Sequence, residues 1–582
     1  MDDAGPLPQR LLASCALPHA WADLPAWTVL DTGFGVLTPF LQCWHTWQAD
    51  ARRPRMLHYV GTLSLAQAQQ LPALALQAAH TAPQWQPLAD ALATTCADLG
   101  AGQHRILLAQ GQLSLTLCVG DTAALLAAQN FLANTLWVHG VDTAWDKWRI
   151  KALARCSQRG AQLTLVTTAS EAPAWLAEAG YVEIMENDQG LQAHFQPRWS
   201  LGARDQAATA GIPQRCTVVG AGISGASVAY ALARRGWEVT VLDQHATPAG
   251  GASGLPAGLV VPHVSADDSP RSRMSRVGAR LMLQHAAALL QDGCDWQASG
   301  VLEQDMDQDT TRWHAQGAWV RPSQLVHAWL DHPGIHCMYE APVTDLQYRD
   351  GLWQLIGPDG QTWTESELVV LANATGCVPL MLNPAHVHFL GDGLVQRLQF
   401  MHAVHGTVSY ATHGSSPPPA HWPQHPVNGH GNFLPQVPLD GGMTWLAGST
   451  FEPDRIPEQA GHRLAPLAEQ HRANAQRLCE LLPSVGAELA PAFAADDVQH
   501  WSATRCVTHD RLPLVGPLQD VQGGICPSLW IHVGMGARGL TFSALGAELL
   551  VARLCGEPWP LESSLARSLD VRRPKRRRNG SA

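Results

Sequence analysis

Charge is scarce in this chain. Only 15% of its 582 residues are Asp, Glu, Lys or Arg, against 46% hydrophobic, which excludes a disordered chain and implies packed cores. A cationic excess is missing too: 38 Lys and Arg face 49 Asp and Glu, for a net charge of −11. No global basic field marks a nucleic-acid binder, although a local basic patch can still act as one. The 13 cysteines include no CxxC pair, and no His/Cys cluster has zinc spacing. An odd, dispersed set of thiols argues for reduced cysteines in a cytoplasmic protein, against a disulfide framework and against a bound metal. No uninterrupted apolar run is long enough for a membrane span. The acidic start Met1-Asp2-Asp3 lacks a signal-peptide pattern.

What is present is length and alternation. A chain this long implies two to three domains. Residues 1–197 hold short apolar runs separated by helical stretches: Trp27–Leu30, Leu113–Val119, Leu136–His139 and Gln162–Thr167 read as strands. Helices are expected from Pro72 to His80, with Pro72 at the first position, and from Asp146 to Arg159, stopped by Gly160. This is an α/β pattern. Residues 198–214, rich in Gly and Ala, read as a linker. A second α/β domain spans 215–560, with a polar loop at Gly414–Pro419. Residues 561–582 read as a basic tail, with Arg572, Arg573, Lys575, Arg576, Arg577 and Arg578 either solvated or in contact with phosphates.

The second domain opens with a dinucleotide signature. Cys216–Val219 is a buried-strand pattern, followed by Gly220-Ala221-Gly222-Ile223-Ser224-Gly225, a helix from Ala226 to Arg235, a stop at Gly236, and a strand Glu238–Leu242 ending in Asp243. A helix N-terminus reached through such a turn offers free N–H groups and a positive dipole end to a pyrophosphate, and the acid accepts from ribose hydroxyls. A second Gly-rich strand-to-helix turn follows Leu529–Val533 at Gly534-Met535-Gly536-Ala537-Arg538-Gly539-Leu540-Thr541, opening a helix to Leu554. Both ends of a domain closing on one cofactor favour FAD, whose pyrimidine end gains negative charge on reduction.

These residues, with Gly251-Ala252-Ser253-Gly254, resemble the glycine-oxidase and D-amino-acid-oxidase flavoprotein superfamily. Gly317–Pro322, Gly448–Asp454, Arg505–Pro513 and Gly536–Leu540 narrow the resemblance to the bifunctional family of tRNA 5-methylaminomethyl-2-thiouridine biosynthesis. It covers most of 215–556 and extends more weakly over 1–200. It implies a Rossmann-like methyltransferase-type domain followed by an FAD-binding two-subdomain fold of the glycine-oxidase type. It implies FAD held by Gly220, Ala221, Gly222, Ile223, Ser224 and Gly225, by Asp243 and Gln244, by Gly251, Ala252, Ser253 and Gly254, by Val343, Ala372 and Asn373, and by Gly536, Ala537, Arg538, Gly539, Leu540 and Thr541. It further implies oxidative removal of the carboxymethyl unit from carboxymethylaminomethyl-uridine at tRNA position 34. Arg505 and Arg538 are then candidates for the substrate carboxylate or reduced flavin, and His405 for orienting substrate or acting as base.

The first domain departs from that family. Leu37 replaces a glycine of the donor loop Asp31–Phe40, Leu63 stands where an acid should hold the donor ribose, and His139 stands where the active-site Asp should be. Such a site should bind S-adenosylmethionine poorly, although Asp142 lies near enough in sequence to be weighed as a substitute. The flavin half departs at His405-Gly406-Thr407, at Asn373-Ala374 and at Phe433, where an aromatic hydroxyl is expected. Two alternatives to a tRNA oxidase stay open: an FAD-dependent oxidase of a small free amine or amino acid, which the net negative charge favours, and a non-catalytic tRNA-binding scaffold.

Overall fold

A computed structural model of the chain describes residues 7–139, 145–187, 190–201, 214–305, 310–382, 398, 401–414, 418–439, 441–454, 464–495, 498–519 and 525–573. It divides into two compact units. One holds 1–213 with 234–236 and 551–567, and the other holds the remainder. Among the described residues no helix is long and apolar enough to cross a membrane.

The first unit is built on one eight-stranded sheet. Its strands are β1 (Ala26–Asp31), β2 (Met56–Leu63), β3 (Gly102–Leu108), β4 (Leu113–Val119), β5 (Ala133–Val138), β6 (Ser157–Leu165), β7 (Tyr181–Asn187) and β8 (Gly190–Phe195), in the order β3-β4-β2-β1-β5-β6-β8-β7. The five central strands run parallel and the outer ones antiparallel. β2 and β4 are buried along their whole length, as strands covered on both faces must be. The chain steps from β1 to β2 on one side and returns to β5 on the other, so the ends of β1 and β5 form a switch point, the usual place for a ligand in such sheets.

Two helices differ from expectation. The helix expected from Pro72 begins at Leu65 and carries Pro72 inside it, ending at Thr81. The overlooked signal is Ser64-x-x-Gln67: Ser64 Oγ accepts from Gln67 N–H while Gln67 Oε1 accepts from Ser64 N–H at 2.8 Å, a reciprocal cap that outweighs one proline. The helix expected to run to Arg159 spans Lys147–Arg155, with Asp146 as its cap. Ser157 already belongs to β6, which pairs with Ala133 on β5, so Gly160 lies inside a strand instead of ending a helix.

In the second unit β9 (Arg215–Val219) leads through the Gly220 turn into a helix at Ile223–Ala233, then into β10 (Glu238–Leu242). β9 is central: Val218 is in register with Val241 on one side and Val370 of strand Leu368–Leu371 on the other. The sheet continues to Ile335–Met338 at one edge, and to Ile525–Val533 and Leu514–Gln519 at the other. A larger, mostly antiparallel sheet contains His402–Gly414, Gly431–Leu439, Gly442–Gly448 and Gln499–Val507. Of the expected loop, Gly414 ends a strand, Pro418 and Pro419 are described, and the rest lies outside the described residues.

The expected tail is folded at its start. Ser563–Arg567 is helical, and Leu561, Leu565, Leu569 and Val571 are buried. Arg572 is bound to Asp570, and Arg573 to Asp510. Lys575 to Arg578 lie outside the described residues.

Candidate functional site

A cavity of about 900 Å³ extends in the second unit from the ends of β9 and β10 to the face of the antiparallel sheet. Of the residues expected to hold FAD, Gly220, Gly222, Ile223, Ser224, Asp243, Gln244, Gly251, Ala252, Ser253, Val343, Ala372, Asn373 and the whole run Gly536 to Thr541 line it. Ala221, Gly225 and Gly254 do not, and their work is structural. Ala221 N–H donates to Asp243 Oδ2 at 2.6 Å. Gly254 N–H closes a turn on Gly251 O at 3.0 Å.

The glycines of the first turn separate into two roles. A Cβ on Gly225 would collide with the Gly220 carbonyl and meet Val218, so Gly225 lets helix and strand pack. A Cβ on Gly222 would meet only Ser253 Oγ, at 3.2 Å, and would otherwise project into the cavity. Gly222 therefore clears space for a ligand. Ser253 Oγ accepts from Ile223 N–H at 2.8 Å, so the second Gly-rich loop ties down the helix start. Asp243 Oδ1 accepts from His245 N–H at 2.9 Å and faces His245 Nδ1 at 2.7 Å, which fixes the carboxylate that rims the cavity. Oδ2, which accepts from Ala221 N–H, keeps a further lone pair for a ribose hydroxyl. Asn373 Oδ1 is buried without a partner on the same wall. A clearance glycine, an anchored acid and an orphaned acceptor in one elongated cavity fit the dinucleotide of FAD.

Ser224 does a different task with its side chain. Its hydroxyl bonds the carbonyl of His532, and His532 Nδ1 lies 3.1 Å from Ser224 Oγ. The imidazole is fully buried between the first helix and Gly546, and burial pushes its pKa down to about 4. A neutral ring there joins the early turn to the strand that leads into the late one. Nothing in the sequence singled out His532.

Two guanidiniums line the cavity. Arg505, on Gln499–Val507, donates from Nη2 to Ser449 Oγ at 2.7 Å. Its guanidinium lies 4.7 Å from the Phe451 ring. Its Nη1 is buried without a hydrogen-bond partner. Gly406 makes this possible, since a Cβ there would lie 2.6 Å from Arg505 Nη2. Arg538 sits in the short turn Gly536–Arg538 ahead of the helix Gly539–Cys555, and its Nη1 is likewise buried and unpartnered. Burial lowers both pKa values, helped at Arg538 by nearby Arg271, yet guanidinium keeps its proton. Two half-buried cations, each with a buried spare donor, suit an anion.

His405 is not brought to this place. It does not line the cavity, and it pairs in register with Thr504. Its neighbour Gly406 carries the face toward Arg505, so alternation along the strand turns His405 to the opposite face. His263 and Glu303, which the sequence left unmarked, also line the cavity, as does Ser449 of the Gly448–Asp454 motif. Burial, with Arg271 and Arg538, lowers the His263 pKa. His314 Nε2 lies 2.8 Å from Glu303 Oε2 and holds that carboxyl below its usual range. Phe433 is buried among apolar neighbours and carries no site chemistry.

At the switch point of the first unit, Asp31 is fully buried and both of its carboxylate oxygens are occupied by protein donors. Gly33 N–H donates to Oδ1 at 2.8 Å, Tyr59 O–H donates to Oδ2 at 2.6 Å, and His139 Nε2 stands 3.0 Å from Oδ1. The His139 ring lies against Gly33, where a Cβ would be 2.6 Å from Nδ1. Leu37 and Leu63 are buried in the same apolar core as Phe34. Asp142 lies outside the described residues. The loop glycine and the two acids expected for the methyl donor are thus replaced by a leucine in the core, a second leucine in the core and a histidine on Asp31.

The FAD dependent oxidoreductase (DAO) family matches residues 215–316 and 312–553. The tRNA 5-methylaminomethyl-2-thiouridine biosynthesis bifunctional protein MnmC of Albidiferax ferrireducens is 42% identical, over 97% of this chain and 95% of its own. That of Polaromonas naphthalenivorans is 39% identical, over 96% and 92%. Among solved structures, glycine oxidase from Geobacillus kaustophilus matches 62% of this chain and 99% of its own at 18% identity, with a TM-score of 0.47. With its glycine cradle, its anchored acid and two cavity-lining guanidiniums all inside the matched segment, the chain belongs to the MnmC family of bifunctional tRNA-modification proteins and carries that family's FAD dependent oxidoreductase domain.

Proposed function

We propose that the protein is an FAD-dependent oxidoreductase that removes the carboxymethyl unit from carboxymethylaminomethyl-uridine at the wobble position of tRNA, leaving aminomethyl-uridine, and that it does not methylate the product. The observation that carries this reading is the pair Arg505 and Arg538, each with a buried unpartnered Nη1 on the wall of a cavity shaped for FAD. The reacting group of the substrate is an N-substituted glycine, and its carboxylate is the anion such a pair accepts.

FAD, held by the Gly220 turn, Asp243 and the late turn, supplies a two-electron hydride acceptor. The chain's own residues do the rest. Arg505 and Arg538 take the carboxylate and so fix the methylene carbon next to it. Ser449 holds Arg505 in place through its Nη2. His263, its pKa lowered by burial and neighbouring cations, leaves the cavity without a cationic histidine that would oppose the positive charge building on nitrogen as hydride leaves. Oxidation takes a hydride from the methylene carbon and a proton from nitrogen. Water then adds to the C=N bond, the C–N bond breaks, and glyoxylate leaves with the former methylene carbon. No dedicated base is required if the amine arrives neutral.

Loss of methylation follows from the Asp31–Tyr59–His139 cluster. A donor would have to displace the Tyr59 and Gly33 donors from a buried carboxylate and enter an apolar core. Purified protein incubated with tRNA from cells lacking it should release glyoxylate and form aminomethyl-uridine, with no methylated product on adding S-adenosylmethionine. Turnover of free sarcosine or glycine without any change in tRNA nucleosides would replace this reading by that of a small-amine oxidase.

A further inference from the structure

The first unit has lost the features of a donor site, yet it presents an unusual solvent face. The helix Lys147–Arg155 buries Ile150, Ala152, Leu153 and Ala154. Trp148, Lys151 and Arg155 remain exposed and fall at i, i+3 and i+7, so they share one stripe. Trp148 is 73% exposed, more than any other large hydrophobic side chain among the described residues. Lys151 Nζ lies 4.9 Å from its ring. From Lys147 to Arg159 the sequence contains Lys147, Arg149, Lys151, Arg155 and Arg159 and no acid, in a chain whose net charge is −11. The Asp146 carboxylate just ahead caps the helix, its Oδ1 accepting from the N–H groups of Trp148 and Arg149. Glu178, on the neighbouring helix, is paired with Lys147.

An indole left in water on a locally cationic helix is the combination that single-stranded nucleic acid recognises: a flat face for one base, cations for the phosphates beside it. A lipid surface is a poor fit, because the apolar side of this helix is already spent on the core and only Trp148 would insert. We infer that the Trp148–Lys151–Arg155 stripe is a docking surface for tRNA, with Trp148 stacking on an unpaired base. This rests on the tRNA reading of the oxidoreductase site. It gives the methyltransferase-like unit a task that needs no methyl donor.

The test is equilibrium binding of unfractionated tRNA to the flavin-loaded full chain, measured at several salt concentrations. Trp148→Ala should bind roughly 5- to 100-fold more weakly, while Trp148→Phe, which keeps an aromatic face, should stay within about threefold of wild type. Lys151→Glu should weaken binding and lower the salt slope by about 0.7 or more. Flavin absorbance and thermal midpoint should be unchanged, because none of these side chains is in the core. If Trp148→Ala and Lys151→Glu bind tRNA as wild type does, the docking surface is wrong and the oxidoreductase reading stands. If wild type itself binds no tRNA, both fall together, a result the variants cannot mimic.

Discussion

Arg505 and Ser449 are joined by a 2.7 Å bond from Nη2 to Oγ, and the other terminal nitrogen of the same guanidinium is buried with no partner. That orientation is the one an anion receptor would have, and it supports the role proposed for Arg505. Arg505→Lys keeps the charge but loses the fork that bonds Ser449 and substrate together. It should lower kcat/KM by roughly 10- to 100-fold, mainly through KM, with flavin content intact. Steady-state kinetics with tRNA, alongside the flavin spectrum, checks this. A variant with wild-type KM would show that the carboxylate binds elsewhere.

Gly222 and Gly225 should respond differently to a side chain. Gly222→Val meets only Ser253 Oγ within the protein, so the chain should fold but lose most of its flavin, because the new methyls fill ligand space. Gly225→Val would drive into the Gly220 backbone and should lower stability by about 3 kcal/mol or more. Flavin absorbance per protein and thermal unfolding separate the two. Full flavin occupancy in Gly222→Val would remove this turn from the cofactor site.

His139→Asp restores the acid of the family but places a second carboxylate against the buried Asp31. It should destabilise the first unit by roughly 3 kcal/mol and restore no methyl transfer. In the wild-type protein burial lowers the His139 pKa and Asp31 raises it more, so the net shift is upward from 6.5. The folded state thus holds its proton more tightly. Its stabilising share is complete below about pH 6.5 and is lost as pH rises through the raised value. Thermal midpoints should fall with pH above 6.5 in wild type and less in His139→Gln. Calorimetric titration should show no binding of S-adenosylmethionine, and micromolar binding would overturn the assignment.

His532 works in the opposite direction. Its folded pKa of about 4 lies below the ordinary 6.5, so the unfolded chain takes up the proton first. Stability is lost as pH falls from 6.5 to about 4, by about 3 kcal/mol in all. Because His532 links the helix of the first glycine turn to the strand feeding the second, acid release of flavin should fall in that window. His532→Gln should shift the release to lower pH. Unchanged release would mean that another group sets it.

Arg573 donates to both oxygens of Asp510 and to the carbonyls of Leu512 and Pro513. Arg573→Ala should therefore cost roughly 2–3 kcal/mol of stability without altering the salt dependence of tRNA binding. Deleting residues 575–582 should do the reverse, flattening the salt slope and sparing stability. If the deletion leaves the slope unchanged, those four cations do not contact phosphate.

Several features needed no tertiary information. The run from Cys216 to Asp243 states a βαβ unit with its ligand acid, because local spacing alone determines strand, tight turn, helix and strand. The substitutions at Leu37, Leu63 and His139, which carry the proposed loss of the donor site, were legible for a similar reason: the expected groups are absent whatever the fold. Boundaries were less legible where a cap or a pairing decided them. Ser64 with Gln67 moved one helix start past Pro72, and pairing with Ala133 converted Ser157–Gly160 from helix to strand. The tertiary structure alone decided which residues face the cavity. Arg505 and Ser449 meet there through Gly406, while His405, one residue away, points to the other face. It alone joined Ser224 to His532 and aligned Trp148 with Lys151 in the solvent. Linear order records neither which face of a strand is buried nor which distant atoms share a wall, since both depend on the packing of elements hundreds of residues apart.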